Sequence, residues 1–313
     1  MAFIVFQQIV ALFFVVFVGY SLTKMKLFTE AFIKGLGAYL VKAAIPVTLL
    51  ANFQQPFSKE LLEQLQLLSL GMLISIAGTM LLCLPLCLLL GITKKEAGVW
   101  ITTAAFSNAI FMGAPIYQSV YGYEAGFPLS AVILSFTFLM YSLAMPLISA
   151  FSGQNRLSFL DIVKMLARNP GIIASVVGLL IFMFSITIPA PLMGGFRLIG
   201  NTLTPCAMLI VGYSLAQMHF KDVFNDYRVY VISAVKLIAS PLLTFYTFRL
   251  FIDSPVILGI LSIGAAMPTA TTLASFCQQF DNNFDLSSKV IFASTLMSLV
   301  TAPLVILLMQ GYI

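Results

Sequence analysis

Phe106-Ser107-Asn108-Ala109-Ile110-Phe111-Met112-Gly113-Ala114-Pro115 and Ser262-Ile263-Gly264-Ala265-Ala266-Met267-Pro268-Thr269-Ala270-Thr271-Thr272 carry most of what this chain says about itself. Each sets a proline inside an apolar run long enough to cross a membrane. Proline deletes one backbone N–H and clashes with the carbonyl four residues back. In hydrocarbon the freed carbonyls need partners, so such a break survives only where it is buried in protein or lines a polar cavity. Small and hydrogen-bonding side chains gather at both breaks: Ser107 and Asn108 at the first, Thr269, Thr271, Thr272 and Ser275 at the second. Gly113 and Gly264 add local backbone freedom.

Pro115 and Pro268 are 153 positions apart, and the other breaks pair in the same order. Pro46, Pro85 and Pro146 precede Pro205, Pro241 and Pro303 by 159, 156 and 157 positions, and Gly19 precedes Gly178 by 159. Apolar helices rich in Leu and Pro produce chance matches, but four ordered pairs argue for one unit used twice. Duplicated halves with broken helices are the pattern of secondary transporters.

The rest of the composition agrees. Of 313 residues, 60% are hydrophobic and 9% charged, and mean hydropathy is +1.04. A soluble domain carries about 25% charged residues, so a bilayer is this chain's solvent. Ten spans are expected, near 3–23, 34–53, 66–90, 97–120, 127–150, 169–187, 193–217, 229–251, 255–279 and 287–310. They form an all-α integral membrane fold of two five-helix repeats, residues 1–150 and 169–313, with spans 4 and 9 broken where they cross. The connection 151–168 holds Ser152, Gly153, Gln154, Asn155 and Arg156, and residues 156–168 are expected to form a short interfacial helix. The first apolar stretch is long and lacks a basic leader, which reads as a span rather than a cleaved signal.

Lys and Arg set the orientation. The connections after spans 1, 3, 5, 7 and 9 hold 11 of the 16, the opposite side holds three, and two lie inside spans. That bias puts the odd connections in the cytoplasm and both termini outside. Five spans per unit then force the second copy to insert upside down.

Where two unwound helices cross at the membrane midplane, exposed N–H groups can hold an anion. Asn108 is the sharpest candidate, because an amide in an apolar helix needs a partner; a helix–helix hydrogen bond is the plainer reading. Lys42 and Lys236 lie inside spans, each about 12 Å from the cytoplasmic end, with no deep Asp or Glu to pair with. Each either snorkels to the interface or faces an aqueous cavity and attracts an anion. The missing membrane carboxylates argue against an Asp/Glu proton relay and weaken the case for cationic solutes. Cys83, Cys87, Cys206 and Cys277 read as buried inert thiols, and His219 as a solvated loop residue. No Walker A, HExxH or Rossmann pattern occurs, so no cofactor, nucleic acid or enzymatic reaction is expected.

The stretch from Asn108 to Pro115, followed by Tyr121-Gly122, resembles the auxin efflux carrier family. Arg168-Asn169-Pro170, Thr204-Pro205 through Gly212, and Met267-Pro268-Thr269-Ala270 are similar to that family at successive positions. The resemblance covers essentially the whole chain. It implies a scaffold of spans 1, 2, 6 and 7, often a homodimer interface, and a moving transport unit of the other six. It implies crossing prolines at Pro115 and Pro268, a solute-contacting amide at Asn108, and organic anions as solutes. The long central loop of the plant exporters is absent, which points to a bacterial relative and away from auxin.

The function expected is a secondary active transporter or uniporter of a small carboxylate, working by elevator-like alternating access. Ser107, Asn108, Thr269, Thr271, Thr272 and Ser275 would bind; Gly113, Pro115 and Pro268 would shape the site; Lys42 and Lys236 would supply potential. Coupling to protons or sodium stays open. The rivals are a sodium-coupled symporter of bile-acid-carrier type and a solute sensor that does not transport.

Overall fold

In a computed structural model, residues 2–152, 157–217, 223, 225–309 and 311–312 are described. Gly153 to Arg156, and His219, Lys221 and Asp222, lie outside them. The described residues are mostly helical, the helices joined by short connections. Helices α1 (Ala2–Lys24), α2 (Glu30–Tyr39), α3 (Ile45–Phe53) and α4 (Lys59–Leu89) come first. Then follow α5 (Lys94–Ala105), α6 (Ala114–Tyr121), α7 (Gly126–Leu139), α8 (Met145–Phe151) and α9 (Phe159–Arg168). The second half holds α10 (Pro170–Met183), α11 (Ala190–Gly200), α12 (Leu203–Ala216), α13 (Tyr227–Ala234) and α14 (Ser240–Phe248). It ends with α15 (Pro255–Ala266), α16 (Thr272–Gln279) and α17 (Phe284–Met309).

Among the described residues, seven helical runs are long and apolar enough to cross a membrane, or eight if α9 and α10, bent by 63°, make one span. The two expected spans outside that count are those with the breaks, α5 to α6 and α15 to α16, whose pieces are each too short alone. The α4 helix starts earlier than its apolar run because Ser58 caps it, its hydroxyl accepting from the Leu61 amide, so the polar residues Lys59 to Gln66 join the helix. Helix α9 appears where a short interfacial helix was expected. Ser158 and Asp161 form a capping box at its start, and it leaves Phe159, Leu160 and Val163 exposed beside Asp161, Lys164 and Arg168.

The prolines are handled in two ways. Pro46, Pro115, Pro146 and Pro241 each follow a π turn: Leu40–Ala44, Ala109–Gly113, Met140–Ala144 and Val235–Ala239. One extra residue per turn moves the carbonyl that would meet the pyrrolidine ring, so the helix widens instead of stopping. Pro85 and Pro303 sit within continuous α-helices.

Helix α1 lies along α12, and α10 along α3. The first contact is backbone to backbone. A Cβ at Gly19 would sit 2.6 Å from the Leu209 carbonyl oxygen, and one at Gly212 would collide with that of Val16. Small residues allow such approach in membranes, where dispersion rather than hydrophobic burial holds helices together. The outer surface is apolar, with Leu88, Leu89 and Phe251 more than three-quarters exposed, as lipid contact demands.

Candidate functional site

Helix α5 stops at Ala105 and α15 at Ala266, and each chain then runs extended before turning helical again. The two extended pieces pair antiparallel. The Asn108 amide donates to the Pro268 carbonyl at 2.6 Å, and the Ala270 amide to the Phe106 carbonyl at 3.0 Å, with Ser107 and Thr269 opposite each other between them. Orphan groups at the breaks find partners nearby. The Thr269 hydroxyl donates to the Thr103 carbonyl at 2.8 Å, and the Thr269 amide to the Ser294 hydroxyl at 3.2 Å. The crossing is thus stitched into the protein rather than left unsatisfied.

Side chains alternate along extended backbone. Asn108 points into a cavity of about 70 Å³ walled by Val41, Phe111, Met140, Tyr141, Asn169 and Thr271. Its side chain is 3% exposed and has no hydrogen-bond partner among the described residues. The helical run from Ala109 and helix α16 both begin at this cavity, so two helix N-termini face it. Val41, Phe111, Thr271 and Thr272 also line a larger chamber of about 700 Å³. That chamber continues past Ser275 and Gln278 to Gln217, Asp285 and Lys289.

Ser107 points the other way. Its hydroxyl accepts from the Lys236 ammonium at 2.5 Å, and that ammonium also donates to the Ala265 carbonyl at 3.0 Å. Lys236 is fully buried. It therefore neither snorkels nor faces the open chamber; the π turn that accommodates Pro241 carries it into the crossing from behind. Lys42 is exposed on its own π turn and lines neither cavity.

Gly113 and Gly264 have a different role from the one expected. Gly113 has ordinary helical dihedrals, so backbone freedom is not needed there. Both leave room for Tyr117: a Cβ would lie 2.7 Å from the Tyr117 hydroxyl at Gly113 and 2.5 Å at Gly264. Pro115 and Pro268 are buried beside them. The structure thus brings Asn108, Thr271 and Thr272 to the inner cavity and Ser275 to the chamber. It holds Ser107 and Thr269 inside the crossing. Tyr141 and Tyr117 were not singled out from the sequence, and Asn169 was noted only within the Arg168-Asn169-Pro170 motif, not as a site residue. Asn169 could have been, as a second amide at the start of an apolar run.

A profile of the family described as "Membrane transport protein" matches residues 4–306. The chain belongs to that family. This is the family of the auxin efflux carriers, to which the motifs around Asn108 and Pro268 pointed. The protein is 23% identical over 301 residues to a Rhizobium meliloti (strain 1021) protein named "Putative malonate transporter", covering 91% of this chain and 90% of that one. Family and relative place it among multi-span membrane transporters rather than enzymes.

Proposed function

We propose that this protein is a secondary carrier of a small organic anion, a mono- or dicarboxylate, and that the carboxylate binds in the cavity at Asn108. The observation that carries this is the Asn108 side-chain amide, without a hydrogen-bond partner among the described residues and buried where two helix N-termini begin. Asn108 supplies two N–H donors, the helix starts supply backbone amides and partial positive charge, and Thr271 and Thr272 supply hydroxyls. The name of the Rhizobium relative fits a dicarboxylate.

In this reading the chain crosses the membrane ten times as two inverted repeats, with α5–α6 and α15–α16 as the crossing spans. Support comes from reciprocal packing: α1 of the first half lies on α12 of the second, and α10 of the second on α3 of the first. The large chamber runs between α2 and α12 on one wall and α16 and α17 on the other. That is the seam an elevator would slide along, with spans 1, 2, 6 and 7 as scaffold and homodimer face. Its lining residues Gln217, Asp285 and Lys289 lie at connections that the basic-residue bias assigns to the cytoplasm, which supports reading the state as inward-open with both termini outside.

Thermal stabilisation of the purified protein against mono- and dicarboxylates, indole acids and amino acids tests the reading, since a ligand of the folded state raises the midpoint by mass action. A carboxylate hit lost in Asn108→Ala, with that variant still folded, is the expected result. Hits from cationic or neutral solutes alone, or a carboxylate hit untouched by the substitution, would overturn it.

A further inference from the structure

We propose that the Lys236 ammonium is a cation built into the crossing, filling the niche that a coupling sodium ion would otherwise occupy, so that the carrier works without sodium. The proposal rests on the crossing being the solute site.

The niche has the ligands of a cation site. Helix α15 ends at Ala266, so the Ala265 carbonyl is one of the orphans at a helix C-terminus. The amide that would have taken it in a continued helix, that of Thr269, is turned to the Ser294 hydroxyl at 3.2 Å. The carbonyl is met instead by Lys236 at 3.0 Å and by the Ser107 hydroxyl at 3.5 Å. Helix α5 ends at Ala105, two residues before Ser107. Two helix C-termini therefore converge here, each carrying about half a negative charge. Hydroxyl and carbonyl oxygens at half-helix C-termini are what broken-helix transporters offer to sodium.

Among the described residues no carboxylate pairs with the ammonium. Lys236 is fully buried, and the ion pairs among the described residues do not include it. What it neutralises is the pair of C-terminal dipoles. Ser107 and Asn108 project to opposite sides of the crossing, so the built-in cation sits behind it while the helix N-termini and Asn108 face the cavity. Lys236 is thus a positioning residue. It holds the two helix ends together and does not touch the solute.

The test compares sodium chloride with choline chloride at equal ionic strength, reading the thermal midpoint of ligand-free protein. The wild type should show no shift. Lys236→Ala, which removes the ammonium and leaves the oxygens and the space, should melt lower in choline and recover by about 2 °C or more in sodium, as a bound ion stabilises by mass action. Lys236→Met, which fills the space without charge, should melt lower and ignore sodium. A wild-type midpoint that rises with sodium overturns the proposal, and so does a Lys236→Ala protein blind to sodium. If neither variant can be purified, the wild-type comparison decides alone. Because all midpoints are read without solute, a failure of carboxylates to bind would count against the proposed function and leave this result intact.

Discussion

Tyr117 shows what the crossing demands of single residues. Its ring is fully buried, its hydroxyl has no partner among the described residues, and it is wedged between Gly113 and Gly264. An unsatisfied buried hydroxyl costs about 1–3 kcal/mol. Tyr117→Phe is therefore expected to raise stability by about 1 kcal/mol, read as a higher thermal midpoint. Gly264→Ala meets only the hydroxyl closely, since the next ring carbon is 3.7 Å away, whereas Gly113→Ala also meets that carbon at 2.9 Å. Tyr117→Phe should then rescue Gly264→Ala and fail to rescue Gly113→Ala. Equal rescue of both would show the packing to be wrong. Asn108 was legible in the sequence because an amide stands out in an apolar run. Tyr117 was not, because an aromatic residue in such a run is ordinary core, and only the fold reveals which two glycines it separates. Lys236 was legible as an anomaly, but its partners lie 129 and 29 residues away, so no local pattern could show that it turns away from the cavity.

At the scale of elements, proline alone located neither the helix ends nor the π turns: α15 stops at Ala266 beside Pro268, but α5 stops at Ala105, well before Pro115, and Pro85 and Pro303 stop nothing. A π turn depends on how neighbours hold the widened helix, and nothing in the local sequence separates Pro46, which has one, from Pro85, which does not. The start of α5 is tied by charge to the start of α13. Arg228 at the start of α13 pairs with Glu96 at the start of α5 at 2.7 Å and with Asp226 at 2.6 Å, and Asn283 donates to Glu96 at 2.9 Å. The three charged side chains are between 15% and 28% exposed, so Glu96→Gln should cost roughly 1 kcal/mol, near the upper end for such pairs. The Arg228 guanidinium bonded to Asp226 holds that carboxyl below the usual carboxylate range. A lowered carboxyl contributes stability that is present above the unfolded value, about 3.9, and is lost as pH falls through the lowered one. The midpoint of Asp226→Asn should accordingly fall less steeply with acid below about pH 4 than that of the wild type. Identical acid profiles would remove Asp226 from the account.

For the whole molecule, the apolar spacing made the helical membrane fold readable, and most helix ends fall within about four residues of the expected spans, the start of α4 at Lys59 excepted. The chamber was not readable, since its walls come from α2, α12, α16 and α17, which only tertiary packing brings together. If that chamber is the path to the site, a cysteine introduced at Ser275 or Gln278 in a background freed of Cys83, Cys87, Cys206 and Cys277 should react with a charged thiol reagent from the cytoplasmic side. A bound carboxylate should slow that reaction several-fold. Labelling from the outside alone would reverse the orientation. The most direct measurement of the central claim is counterflow of a labelled dicarboxylate, malonate first, in proteoliposomes holding wild-type or Asn108→Ala protein. The account predicts saturable exchange by the wild type and at least a tenfold loss in the variant, about 1.4 kcal/mol or more of lost interaction. Exchange at the wild-type rate by Asn108→Ala, or carboxylate binding by the wild type with no counterflow, would contradict it.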